Sequence, residues 1–309
     1  MVRECGGAGR GPGASRRGGS LSAQSKIEFL AVSKAFPVRS GRGDAFSALQ
    51  NVSLHVAAGE FMVLVGPSGC GKSTLLDLLG GLTRPTSGQI LLDGQPITGP
   101  GLNRGIVFQQ YALFPWRTAL ENVEFGLEAK RIPKAERRDI ARSHLELVGL
   151  EGFEGHFPHE LSGGMKQRVA IARSLAYNPE VLLMDEPFAA LDAQTRETLQ
   201  KELRSIWERS RTTIFFITHG IDEAICLGQR IAVMTSRPGR IKRIVEVPEA
   251  LRSRTDDVRS QPEFGRLRHE IWQLLQGEVH EAEREERRNK LGGVRPIARG
   301  LEREVVLRG

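Results

Sequence analysis

Cysteine is scarce: Cys5, Cys70 and Cys226 are the three in 309 residues, far apart and without a C-x-x-C pair. That spacing argues against a disulfide framework and a zinc site and fits a reducing compartment. Long apolar runs are also missing. The best of them, 61–65, 181–184 and 214–217, are strand-sized, well short of the roughly 18 consecutive apolar residues that a bilayer-spanning helix needs. The opening MVRECGGAGRGPGASRRGGS carries positive charge but no apolar segment, so a secretory signal is not expected. Together these gaps predict a chain that works in the cytoplasm and does not cross a bilayer by itself. A 39% hydrophobic share over 309 residues suffices for a substantial core in one large or two ordinary domains.

The charge balance is positive, +7 with a pI near 9.7, which ordinarily raises nucleic acid as a partner. Its distribution lowers that expectation. Residues 1–26 hold five basic side chains and one acidic, and 250–309 hold thirteen basic and eleven acidic. The excess therefore sits in the tails, where an anionic membrane surface or an acidic partner face is at least as good a match.

Composition divides the chain into three parts. Residues 1–26 are rich in Gly, Arg and Ser with almost no large apolar side chain, and are expected to form a disordered lead. Residues 27–249 alternate strand and helix patterns. IEFLAV and VSLHV alternate as half-buried strands do, with a Gly- and Pro-marked loop between them. FMVLV, VLLMD and TTIFFIT are continuous apolar runs, the pattern of strands buried on both faces of a parallel sheet. SGQILLDG reads as a short strand. Helical spacing marks STLLDLLGGL, 135–148, 164–176 and TLQKELRSIWERS. Such alternation predicts an α/β fold with a mostly parallel sheet covered by helices and a small antiparallel β subdomain beside it. In 250–309, Phe264, Leu267, Ile271, Leu274 and Leu275 share one helical face before a charged run, which predicts a helical tail docked by that face.

Chemistry concentrates at a few points. Gly66, Pro67, Ser68, Gly69, Cys70, Gly71, Lys72, Ser73 and Thr74 stand between a buried strand and a helix and match G-x-x-x-x-G-K-[ST]. Glycines let successive backbone N–H groups point into one concavity, at the positive end of a helix. Lys72 then reaches the β- and γ-phosphates, and the Ser73 hydroxyl is placed to ligate Mg²⁺. VLLMDEP ends its strand in Asp185 and Glu186. Paired carboxylates at a buried strand's end are costly unless a cation or a reaction needs them. Asp185 suits Mg²⁺, and Glu186 suits general-base activation of an attacking water.

Between these lies LSGGMKQR, 161–168, and with it the chain resembles the ATP-binding cassette (ABC) ATPases over about residues 27–249. The resemblance implies a P-loop NTPase cassette that binds ATP and Mg²⁺ as a head-to-tail homodimer or a paired cassette. In it, Ser162, Gly163 and Gly164 grip the γ-phosphate of ATP bound to the opposite subunit. It further implies that Gln109, or Gln110 one residue on, touches Mg²⁺ and the attacking water. The segment containing Asp192 crosses the dimer interface, and His219 contacts the γ-phosphate. Without the resemblance His219 reads as a structural histidine. Phe36 resembles the adenine-stacking aromatic, the alternative being a core phenylalanine. Gly220 departs from the family, which commonly has aspartate after the histidine.

A lone cassette without membrane helices is similar to the importer arrangement, with separate transmembrane permease subunits and a solute-binding protein. ITGPGLNRGIVFQQYALFPWRTALENVEFGL and SRPGRI resemble the nitrate, sulfonate and taurine importer subfamily, which implies a peripheral place on the cytoplasmic face of the membrane. The other class left open is a non-transport ABC ATPase acting on nucleic acid or a soluble complex.

Overall fold

The computed structural model describes residues 25–37, 45–252 and 258–292, with side chains of the last helix as far as Glu278. Of the expected lead at 1–26, residues 1–24 lie outside them, as does the 38–44 segment after Phe36, while Ser25 and Lys26 belong to the first strand rather than to a disordered lead.

Twelve residues each of β1 (Ser25–Phe36) and β2 (Phe46–Ala57) pair antiparallel. After the all-buried β3 (Phe61–Val65) come α1 (Lys72–Gly80), β4 (Ser87–Leu92), the short β5 (Gln95–Pro96) and β6 (Arg104–Val107). A helical region follows, with α2 (Ala119–Ala129), α3 (Lys134–Leu147) and α4 (Gly163–Ala176). The chain then returns through β7 (Val181–Asp185), α5 (Ala193–Ser210), β8 (Thr213–Ile217), α6 (Ile221–Leu227), β9 (Arg230–Met234) and β10 (Ile241–Glu246). It closes with α7 (Glu249–Arg252) and the long α8 (Pro262–Gly292).

The strands make two sheets, one in the order β2-β1-β4-β5 and one in the order β10-β9-β3-β8-β7-β6. Within the larger sheet β6, β7, β8, β3 and β9 run parallel, and β10 is antiparallel at one edge. This is the expected α/β layering. Alternation inside β3 explains why its sequence is unbroken by polar residues. Phe61, Val63 and Val65 enter the core shared with α2 to α6, while Met62 and Leu64 enter the core under the antiparallel sheet and α1. Both faces are covered, so both sets are apolar.

The tail helix docks as its pattern predicts. Phe264, Leu267 and Ile271 are buried in the larger core, with Leu274 and Leu275 packed against it. Three such side chains contribute roughly 5–9 kcal/mol of transfer free energy. The helix α2 was not foreseen from the sequence. Thr118 caps it in a reciprocal capping box with Glu121, and fully buried Asn122 ties the preceding loop down by bonding Phe114 N, Phe114 O, Arg117 O and Thr118 O.

Candidate functional site

Parallel strands that all end on one side bring their C-terminal turns together. Here the turns after β3, β7 and β8 meet. Leu64 O accepts from Thr218 N at 3.2 Å, and Ile217 O accepts from Glu186 N at 2.9 Å.

The turn after β3 is a ring of backbone around Lys72. This side chain is 7% exposed, and its ammonium donates to Gly66 O at 2.9 Å and Pro67 O at 3.0 Å. Gly71 caps α1 at φ 99°, a conformation that L side chains rarely adopt, and a Cβ there would lie 2.7 Å from Leu49 Cδ2. Burial pushes the Cys70 thiol up, more than neighbouring Lys72 pulls it down, so the thiol stays protonated and unreactive. Ser68, Gly69 and Ser73 are exposed, Pro67 and Thr74 half-buried.

Asp185 terminates β7 beside this ring. Burial raises its carboxyl pKa, the Ser73 hydroxyl bond lowers it, and the nearby Glu186 and Asp77 carboxylates raise it further. The Ser73 hydroxyl and the Asp185 carboxylate beside a phosphate-type cradle are oxygen donors of the kind a hard divalent cation takes when it binds through one or two protein groups together with substrate phosphates. Among the described residues no cluster of three or more His, Cys, Asp or Glu side chains is arranged as a complete metal cage.

Glu186 follows at φ 44°. For a non-glycine residue this left-handed conformation costs of order 1–3 kcal/mol and tends to mark functional positions. Its Oε2 lies 3.2 Å from Nδ1 of His219, whose ring is otherwise largely exposed. His219 is therefore no buried structural histidine. Behind it, Gly220 caps α6 at φ −86°, and its N–H donates to Thr218 Oγ1 at 2.9 Å. The Thr218 hydroxyl donates to Glu223, which also accepts from Gln200 Nε2 at 2.9 Å. Burial raises the Glu223 carboxyl pKa, against these two bonds. Glu186, His219, Gln200 and Glu223 line one cleft of about 450 Å³.

The remaining candidates stand on neighbouring elements. Ser162 caps α4, its Oγ accepting from Met165 N at 3.3 Å. A Cβ on Gly164 would come within 2.7 Å of Thr195 Cγ2, and one on Gly163 within 3.2 Å of Tyr111 Oη. Close packing on α5 thus explains the second glycine. Asp192 caps α5 by accepting from Thr195 N at 3.0 Å, a bond that lowers its carboxyl pKa.

Gln109 is exposed just beyond β6. The chain after it bends through Tyr111 at φ 40° and Ala112 at φ 47°, and both carbonyls accept from Arg173 of α4, at 3.0 and 2.6 Å. Phe36 is 39% exposed, so the core alternative does not describe it. It pairs in register with Phe46, and the Lys34 ammonium lies 5.1 Å from its ring centroid.

Residues that the sequence reading did not single out include Arg173, Glu223 and Arg237. The only signal for them was their position, in the helix or turn that follows a recognised motif.

Comparison with known proteins agrees with this geometry. The family model described as ABC transporter matches residues 49–189. An ABC transporter ATP-binding protein of Methanocaldococcus jannaschii is 56% identical over 238 residues, 77% of this chain and 87% of that one. The nitrate import ATP-binding protein NrtD of Synechocystis is 51% identical over 79% of this chain and 94% of its own length. The taurine import ATP-binding protein TauB of Roseobacter denitrificans is 48% identical over 75% and 88%. Among solved structures, the dimeric post-hydrolysis state of the ATP-binding cassette MJ0796 bound to ADP and Pi superposes with a TM-score of 0.64 at 36% identity. That match covers 72% of this chain and 99% of that one. With these relatives, and with the P-loop, Asp185, Glu186 and His219 gathered at the C-terminal ends of the central strands, the chain belongs to the ABC transporter ATP-binding proteins and is an ATPase of that family.

Proposed function

We propose that the chain is the ATP-hydrolysing subunit of an importer for a small anionic or organic solute, nitrate-, sulfonate- or taurine-like. It works as a head-to-tail dimer on the cytoplasmic face of the membrane, with separate permease subunits and, indirectly, a solute-binding protein. The observation that carries the ATPase half is the 3.2 Å Glu186–His219 contact beside the P-loop. The importer half draws support from the nitrate and taurine import relatives. No helix among the described residues is long and apolar enough to cross a membrane, so membrane passage falls to other subunits.

In this reading the Gly66, Pro67, Ser68, Gly69, Cys70 and Gly71 backbone, Lys72, Ser73 and Thr74 bind the triphosphate, and Phe36 stacks on the adenine. Ser73, Asp185 and Gln109 hold Mg²⁺, which when bound offsets charge on the β- and γ-phosphates. Ligand binding displaces the Lys72 ammonium from the Gly66 and Pro67 carbonyls onto phosphate oxygens. Glu186 takes a proton from the attacking water, and His219 fixes that carboxylate's direction and contacts the γ-phosphate. Ser162, Gly163 and Gly164, at the N-terminus of α4, complete the site of the opposite subunit, with Asp192 at the interface. Gln109 lies in the surface that meets the permease. There Trp116 is 70% exposed and Phe125 is also exposed, large apolar side chains that favour a protein partner.

Affinity capture of the tagged protein from detergent-solubilised membranes, with and without ATP, tests the transport role. A polytopic membrane protein recovered in an ATP-dependent way is expected. Capture of nucleic acid or soluble proteins alone would transfer the same ATP chemistry to a non-transport ATPase.

A further inference from the structure

The turn between β9 and β10, Ser236, Arg237, Pro238 and Gly239, lies against the P-loop although more than 160 residues separate them in sequence. Its seat is tight. Gly239 N donates to Ala48 O at 2.9 Å and Gly239 O accepts from Gln50 N at 3.0 Å. A Cβ on Gly239 would run into the Cys70 carbonyl.

From this turn Arg237 reaches over the P-loop. Its Nε donates to Gly69 O at 2.8 Å, and its guanidinium carbon lies 5.3 Å from the centroid of the exposed Phe46 ring. Gly69 stands at φ 73° and has no side chain to bias its backbone. In a trans peptide the C=O and the following N–H point to opposite sides. Fixing the Gly69 carbonyl toward Arg237 therefore aims the Cys70 N–H into the loop. There its partner is Pro67 O at a long 3.4 Å, a bond a phosphate oxygen can replace.

The turn is in turn held by a residue outside the cassette. Glu278 of α8 is only 4% exposed. Its Oε2 accepts from Ser236 N at 2.7 Å and Ser236 Oγ at 3.3 Å, and its Oε1 pairs with Lys242 Nζ at 2.6 Å. A buried carboxylate is retained at such a point only when fully partnered, and here the partners are the backbone and hydroxyl of Ser236 in the turn and the Lys242 ammonium of β10.

We infer that Arg237 is a positioning residue of the ATP site, fixing the Gly69–Cys70 peptide for phosphate, and that Glu278 of the tail helix holds the turn that carries it. The assignment rests on the ATP reading above.

The test is calorimetric titration of the full chain with ATP and, separately, with inorganic tripolyphosphate, beside thermal melting and steady-state ATPase. Arg237→Ala removes a charge-assisted hydrogen bond, so it weakens both ligands by about tenfold. KM for ATP rises while kcat at saturating ATP holds, because the groups at Glu186 and His219 are untouched. Arg237→Lys keeps one donor and the charge, and falls between the two. Glu278→Gln keeps shape but loses the ion pair, and weakens both ligands by about threefold.

Arg237→Ala with wild-type affinity for both ligands overturns the assignment. So does a loss confined to ATP, which would make Arg237 a nucleoside contact. Should Arg237→Ala not fold, Arg237→Lys at full wild-type affinity, together with unaffected Glu278→Gln, refutes it as well. A wild type that binds neither ligand would overturn the ATP reading itself along with this one.

Discussion

Arg173→Ala should unfasten the segment that carries Gln109. Arg173 is nearly buried on α4, and burial lowers its guanidinium pKa. What compensates is a pair of bonds to the Tyr111 and Ala112 carbonyls, both residues at positive φ. A hydrogen bond to a charged group contributes about 1.5–3 kcal/mol, and each left-handed non-glycine residue costs about 1 kcal/mol or more. The two bonds thus offset strain that the segment would otherwise release by moving. Truncation leaves two carbonyls to water and removes packing of the guanidinium 6.0 Å from the Phe114 ring centroid. A loss of about 2–4 kcal/mol in urea-unfolding free energy is expected, with ATPase activity reduced beyond what the folded fraction explains. Arg173→Lys, with one charge but no planar fork to span both carbonyls, should recover less than half of it. Unfolding within about 0.5 kcal/mol of wild type, the range of an ordinary surface change, combined with unchanged ATPase, would refute the reasoning.

Other outcomes follow from the same site. Lys72→Ala should lose ATP binding measured by calorimetry, since it removes the cation at the centre of the loop; undiminished affinity would contradict the cradle. Asp185→Asn should abolish hydrolysis yet raise the melting temperature of the ligand-free chain. Its folded pKa is raised, burial being the main cause, so ionised Asp185 opposes folding at neutral pH and its contribution improves as pH falls through that pKa. Removing the charge gains about 2–4 °C per kcal/mol relieved, and a lower melting temperature would count against the site's negative crowding. Gly220→Asp should fold and hydrolyse ATP at rates near wild type, because φ is ordinary and the nearest atom to a new Cβ is Glu223 Cβ at 3.4 Å. A collapse of stability would show that the departure from the family's usual aspartate is a structural requirement.

The parts of this protein that could be read from sequence are those where local chemistry and tertiary role coincide. FMVLV and VLLMD are unbroken apolar runs because each strand is covered on both faces, and the turn after FMVLV is legible because its glycines meet conformational demands, Gly69 and Gly71 both standing at positive φ. The helix α2 escaped notice although T-x-x-E at Thr118 and Glu121 is a start signal; the aromatic stretch before it reads as loop. Arg173, Arg237 and Glu278 escaped for a different reason. Each is a charged residue whose local pattern is that of a solvated surface, and each bonds backbone between 42 and 168 positions away. Only the topology that brings the β9–β10 turn to the P-loop makes Arg237 visible. Phe36 shows the converse: its apolar character fits a core residue, and its exposure beside Phe46 argues for a surface role.

The central claim is that Glu186, directed by His219, activates water against ATP held between two copies. Glu186→Gln keeps the shape and the hydrogen-bonding oxygen but cannot act as a base. Gel filtration of this variant with ATP and Mg²⁺, alongside phosphate release, tests the claim most directly. A stable ATP-bound dimer with hydrolysis all but lost is the expected result. A variant that elutes as a monomer with ATP and releases phosphate at the wild-type rate would contradict it.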